Sequence, residues 1–411
     1  MEGSTNEEVI RLRVRRLSPT AGDDGDDDSD VIEEVRPHRW MEDMAPWIGH
    51  KTLKEVALPG THDSATYCLT SRSSFAPDAS SFVQRMPKRF VRDWAVTQSL
   101  SLYQQLQAGI RYLDLRIGRS SDRFPNFHSL VASTTKEENK ERGTLRKKEE
   151  DEKEAEEEDE EGDEGETEKP SSRTFVPKEL FTCHALFGAH IQDELSSVLR
   201  FLRENKKEVV LLDLNHFYAM SESSHRLLED LIQQTFGSLL IPRLSHTTTA
   251  RRKRDRAEEE ALKLNELWKS EKRVLVFYHH RTSVQRHRWL WPRSGISSPW
   301  PNTTHLPELK QKLHQQLVMR EEKRRSNAEG GELPFFVLQG VLTPDVSFIC
   351  KGIFNVLGKN TSLKRMASNV SPLVLQWVEE EWADQFRMNV VMLDFFESTK
   401  LVELCLLLNM R

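Results

Sequence analysis

The chain has 411 residues, with 59 Lys and Arg against 65 Asp and Glu and a formal charge of −6. Its apolar runs fall well short of the ~20 residues a membrane-spanning helix needs, and its first residues, MEGSTNEEVIRLRVRR, lack the apolar stretch of a secretory leader. Four scattered cysteines (Cys68, Cys183, Cys350, Cys405) form no Cys-x-x-Cys pair, which argues against a disulfide scaffold or zinc module and fits a reducing compartment. The charge averages unlike segments. Residues 22–35 hold eight acids and no base, and residues 136–169 hold eighteen acids and eight bases; setting aside these −8 and −10 turns −6 into +12. A body so basic is expected to meet an anionic partner.

In chain order, residues 1–39 read as a disordered charged arm, and order is expected from Trp40 onward, where HRWMEDMAPWIGH brings large apolar residues. Apolar stretches then recur at 54–60, 109–118, 179–188, 208–218, 273–280, 333–342 and 389–396. Several are near-continuous Val, Leu, Ile and Phe, the composition of strands buried on both faces of a parallel sheet. Amphipathic patterns at 98–108, 190–204, 221–236 and 254–271 predict helices between them. This alternation predicts an α/β barrel or a doubly wound sheet. No G-x-G-x-x-G or Walker A sequence supports a nucleotide-binding version. The acidic, Gly-rich segment 133–173 reads as a disordered insertion between two strands.

Polar residues gather at the C-terminal ends of the apolar stretches. KEVALPG runs into Thr61, His62 and Asp63; GIRYLDLRI carries Asp114 and Arg116; ELFTC runs into His184; EVVLLDLNHF carries Asp213, Asn215 and His216; VLVFYHHR ends in His279, His280 and Arg281; NVVMLD ends in Asp394. In a barrel these ends share one face, where catalytic groups converge from different strands. A single buried charge is explained by one ion pair; charges repeated on several strands at one end point to a site.

LPGTHDSATY (58–67), QLQAGIRYLDLRI (105–117), CHALFG (183–188) and KEVVLLDLNHFY (207–218) resemble the X-box of phosphatidylinositol-specific phospholipase C, in the subfamily that has this box and no other module. LWPRSGISSPWPNTT (290–304), VLTPD (341–345) and MLDFF (392–396) are similar to the rest of that subfamily, so the resemblance spans roughly 40–132 and 174–411. It implies an irregular (β/α) TIM-type barrel and hydrolysis of an inositol phospholipid to diacylglycerol and an inositol phosphate. It makes His62 the general base, His184 the general acid, Asp63 the support of His184 and Asp394 the orienting partner of His62. His128, in PNFHSL, is a rival for the acid. Arg116 stands where metal-independent relatives hold the phosphate and calcium-dependent ones place an acidic ligand, and Asp63 and Asn215 break up the calcium set. The resemblance therefore implies no metal cofactor. Asp114, Asn215, His279 and Arg281 are the expected substrate contacts, with His279 and Arg281 departing from the basic residue usual at that strand end.

The implied partners are an inositol phospholipid and, peripherally, an anionic membrane surface, in the cytoplasm. Trp289, Trp291 and Trp300, interleaved with Arg286, Arg288 and Arg293, are the candidates for membrane contact. RRKRDR (251–256) and KRR (323–325) lack the aromatic spacing of a nucleic-acid platform and read as solvated helix faces or a localisation signal. The rival reading from another class is a catalytically weak or inactive barrel serving as a membrane or lipid scaffold.

Overall fold

The computed structural model describes residues 9–14, 31–120, 179–243, 260–326, 333–345, 348–349 and 362–411. His128, most of the charged arm, the acidic segment 133–173 and the basic run 251–256 lie outside them. Part of the arm is ordered. Strands β1 (Ile10–Val14) and β2 (Val31–Val35) pair antiparallel, with Leu12 and Val35 buried in the main core. The expectation of disorder for 1–39 is corrected at these positions. Average composition hid a period-2 alternation: Ile10, Leu12 and Val14 alternate with Arg11 and Arg13, and Arg11 faces Glu34 across the ladder.

The main sheet is built from β3 (Leu58–Thr61), β4 (Tyr112–Arg119), β5 (Leu180–His184), β6 (Leu186–His190), β7 (Val210–Tyr218), β8 (Val274–Tyr278), β9 (Leu290–Trp291), β10 (Ile296–Ser297), β11 (Phe335–Gln339) and β12 (Val390–Leu393). β3, β4, β7, β8 and β9 lie side by side, and β12, β11 and β10 continue the sheet on the other flank of β3; every one of these pairings is parallel. The strands therefore curl round in chain order as a barrel. Among the described residues no ladder joins β9 to β10, which leaves a seam there. The apolar runs explain the order: β8 and the first half of β7 are buried at every residue, as strands covered on both faces must be.

One predicted strand is corrected. The stretch 179–188 breaks at Ala185 (φ 57°) into β5 and β6, an antiparallel hairpin hung on β4. The predicted helices appear at Leu102–Gln107, Ile191–Glu204 and Glu222–Phe236; the pattern at 254–271 yields the shorter helix Leu264–Lys269, because Lys263 bridges to Thr52, and 254–259 lie outside the described residues. The first starts later than its pattern because Ser101 and Gln104 form a reciprocal cap.

The base of the barrel is held by a charge pair with no exposure. Arg111 Nη2 lies 2.6 Å from Glu208 Oε2, both side chains at 0%. The remaining guanidinium hydrogens go to the carbonyls of Leu106, Ile110, Pro37 and His38, and Trp40 and Phe201 flank the plane. At Gly60 a Cβ would stand 2.9 Å from Tyr112 and from Val390, so only glycine lets β3 sit this close to β4 and β12.

Candidate active site

Sheet register assembles the site. Thr61 pairs with Leu393 of β12 and with Leu113 of β4, so the next residues along, His62, Asp394 and Asp114, emerge side by side at one rim. The turn after β3 is fastened from below. Thr61 Oγ1 donates to Gln105 Oε1, Gln105 Nε2 to the Ser64 carbonyl, and Thr97 and Gln98 both donate to the His62 carbonyl. Asp63 adopts a positive φ of 41°, which turns its carboxylate under the imidazole.

His62 and Asp63 are 6% and 3% exposed. His62 Nδ1 donates to Asp394 Oδ1 at 2.9 Å. Its Nε2 lies 3.3 Å from Asp63 Oδ2 and 3.2 Å from Arg116 Nη2. Asp63 Oδ1 meets Arg116 Nε at 2.5 Å, and its Oδ2 lies 3.4 Å from His184 Nδ1. One buried carboxylate thus faces both histidines and the guanidinium. The imidazoles of His62 and His184 stand 6.4 Å apart, edge to face. His184 Nδ1 makes its shorter bond to the Ala95 carbonyl, 2.7 Å, leaving Nε2 for proton exchange.

The charges act on one another. Burial disfavours the His62 cation, but Asp63 and Asp394 outweigh burial and the opposing Arg116, raising the imidazole to about 9. Two protonation states are accommodated: as the neutral base, Nε2 accepts from Arg116; as the cation, it turns its proton to Asp63. Asp63 is buried, which favours its neutral form, yet Arg116, His62 and His184 together hold it below the ordinary carboxylate range. Burial and then Asp63 push Asp114 up to about 6, against His62 and Arg116.

On β4 the period of two aims Tyr112, Asp114 and Arg116 at the same interior. The β4–β7 register slips between Leu115 and Arg116, so Arg116 faces His216 and Asn215 bulges out of the ladder. The bulge turns Asn215 Nδ2 onto Asp114 Oδ1, while Asp114 Oδ2 accepts the Asp63 N–H. Deeper, Tyr112 donates to Asp213 Oδ2, and Asp213 Oδ1 lies 3.1 Å from His279 Nε2. These groups line a cavity of about 1200 Å³. Trp300 forms its lip, 39% exposed and 5.2 Å from the His62 ring, and Arg293 lines it without an ion-pair partner among the described residues.

His62, His184, Arg116, Asp394, Asp114, Asn215 and His279 all line this cavity, with Asp63 directly behind. Arg281 does not. It opens the Arg281–Arg286 helix and is exposed, three residues past the end of the strand at Tyr278. His184 was expected at the end of a barrel strand and instead sits at the β5–β6 hairpin turn, where Asp78 Oδ2 accepts the Ala185 N–H. Of the surface candidates, Trp291 is 4% exposed and donates to the Ile241 carbonyl, Trp289 is half-buried against His287, and Arg286 is paired with Glu229 and Glu222. Tyr112 and the Ala95 carbonyl were not singled out from the sequence: one lies in an apolar run, and the other is backbone.

His62, Asp63 and Asp114 offer atoms within 4.8 Å of one another, the only such His, Cys, Asp or Glu group among the described residues. Calcium takes six to eight oxygens. Here one donor is an imidazole, Asp63 is engaged by Arg116, and Asp114 already accepts two hydrogen bonds.

No family model matches the chain. It is 29% identical over 383 residues to PI-PLC X domain-containing protein 2 of Mus musculus, covering 91% of this chain and 89% of that one. The Homo sapiens protein of the same name is 30% identical over 333 residues, covering 80% and 84%. Among solved structures, the fold is shared with phosphatidylinositol-specific phospholipase C from Staphylococcus aureus (TM-score 0.52, 12% identity, 90% of this chain and 97% of that one) and from Listeria monocytogenes (0.50, 15%, 88% and 97%). The irregular parallel barrel is thus the phospholipase barrel, and the chain belongs to the family of PI-PLC X domain-containing proteins.

Proposed function

We propose that the chain is a phosphoric diester hydrolase of the phosphatidylinositol-specific phospholipase C type. The observation that carries this reading is the placement of two histidines around one Asp63–Arg116 pair at the cavity floor. Neutral His62 takes the proton of the inositol 2-hydroxyl at Nε2, with Asp394 holding the tautomer through Nδ1. The freed oxygen attacks phosphorus. His184 gives a proton to the departing diacylglycerol oxygen, leaving a cyclic inositol phosphodiester. Water opens that ring with the roles reversed, His184 now taking a proton and His62 returning one. Arg116 neutralises the charge that grows on the phosphoryl oxygens, and Asp63 keeps its fork in place. In this reading a guanidinium does what a cation does elsewhere, so no metal is required.

No helix among the described residues is long and apolar enough to cross a membrane. The lipid would be met from the aqueous side, through the basic body, by a peripherally bound cytoplasmic enzyme.

The test is turnover of labelled phosphatidylinositol in EDTA by wild type, His62→Ala and His184→Ala. Wild-type activity should survive the chelator, and each variant should lose about 10²–10⁴-fold, the usual contribution of a positioned acid or base. Restoration by calcium after loss in EDTA would overturn the role given to Arg116. Absence of any wild-type turnover would favour a lipid-binding scaffold.

A further inference from the structure

The cavity has two walls of opposite chemistry. Asp213, Asn215, His216, His279 and Arg293 make the polar one. The other comes from residues 83–95, where Val83, Met86, Phe90, Val91 and Trp94 line the same space. In the Lys88–Ala95 helix, Phe90, Val91 and Trp94 fall three and four residues apart, on one face. Val91 and Trp94 are nearly covered, but Val83, Met86 and Phe90 are only half-buried and open to the cavity. Arg85 and Arg89 stay exposed.

The walls meet at His184. Its Nδ1 donates to the carbonyl of Ala95, the last residue of that helix, so the proposed acid is fastened to the apolar wall. A leaving oxygen must come within hydrogen-bond reach of His184 Nε2. Whatever that oxygen carries is then laid against Met86, Phe90 and Val91. A water-soluble alcohol would gain nothing there; an acylated glycerol would bury methylenes. We infer that this wall is a subsite for the glycerol-proximal part of the acyl chains, so that the protein grips the leaving group as well as the headgroup. The inference rests on the phospholipase reading of the same site.

Short-chain phosphatidylinositols kept below their critical micelle concentration test it without any membrane surface. Wild-type kcat/KM should rise from glycerophosphoinositol through dibutanoyl to dihexanoyl substrate, by about fourfold for each methylene the wall buries. The double variant Met86→Gln/Phe90→Gln, with its folding checked by thermal melting, should flatten the dibutanoyl-to-dihexanoyl increase to less than twofold. A flat wild-type series needs no variant to overturn the inference, and an unchanged slope in the folded variant overturns it equally; both leave the phospholipase reading standing. Absence of wild-type turnover on every member overturns that reading and the subsite with it.

Discussion

Asp63 is the residue on which the site's electrostatics turn. It is buried, faces Arg116, His62 and His184 at once, and with Asp394 raises His62 to about 9. A base must be neutral to act. On the proposed mechanism kcat/KM should therefore climb with pH toward a limb near 9, reported as an apparent value of the coupled group. Asp394→Asn removes one of the two charges that favour the cation, so the limb should move to lower pH while the maximal rate falls through loss of the orienting partner. A limb that stays in place would exclude His62 as the titrating base. Arg116→Lys tests the other partner: a point charge cannot reproduce a fork that meets Asp63 and a phosphate together. It should lower kcat by about 10²–10³-fold, in line with loss of a positioned donor to a growing oxyanion. These residues were legible in the sequence because charge inside an apolar run is expensive and needs a reason. Arg281 looked equivalent on the same logic and is not among the residues that line the cavity, since nothing in VLVFYHHR marks that the strand ends at Tyr278.

At the scale of elements, the barrel's floor depends on a pair that the site does not use. Arg111 serves Glu208 and four backbone carbonyls, so its removal orphans a buried carboxylate and several acceptors together. Glu208 accepts from Arg111 and, more loosely, from the N–H groups of Met41 and Glu42. Breaking one partner of a buried pair costs about 3–5 kcal/mol. Arg111→Met should fall at or beyond the upper end of that range and Glu208→Gln, which keeps an acceptor, below it, read from denaturant midpoints at constant slope. Equal losses would show that the carbonyl contacts carry no weight. The parallel strands were readable from continuous Val, Leu and Phe, and their register then delivers Asp394 to His62 across more than three hundred residues of chain. Some short elements were not readable. β9 and β10 are two residues each, too brief for any period to show, and β1 was hidden by charge on its alternate positions. The break at Ala185 was equally hidden: CHALFG is apolar on both sides of the turn, and what holds the turn is Asp78, over a hundred residues earlier in the chain.

For the whole molecule, charge and topology bear on how an anionic surface is met. Segment 136–169 carries a net −10, and without it the chain moves from −6 to +4. The chain leaves the described barrel at Ser120 and re-enters at Glu179, which are joined by a backbone hydrogen bond of 3.0 Å, immediately after the strand that carries Arg116 and before the one that ends in His184. The barrel thus gives off and takes back the chain at one point, four residues beyond Arg116. On the proposed function, the charge of 136–169 would compete with an anionic membrane for the same cations, through forces that a Debye length of about 8 Å at physiological salt confines to short range. Deleting 136–169 should raise sedimentation with phosphatidylserine-containing vesicles at low salt, and the gain should shrink as salt increases. It should be absent for neutral phosphatidylcholine vesicles, where there is no surface charge to compete for. A gain that appears equally on neutral vesicles, or that persists at high salt, would mean that the deletion exposes apolar surface instead; no gain at all would separate the acidic charge from membrane binding.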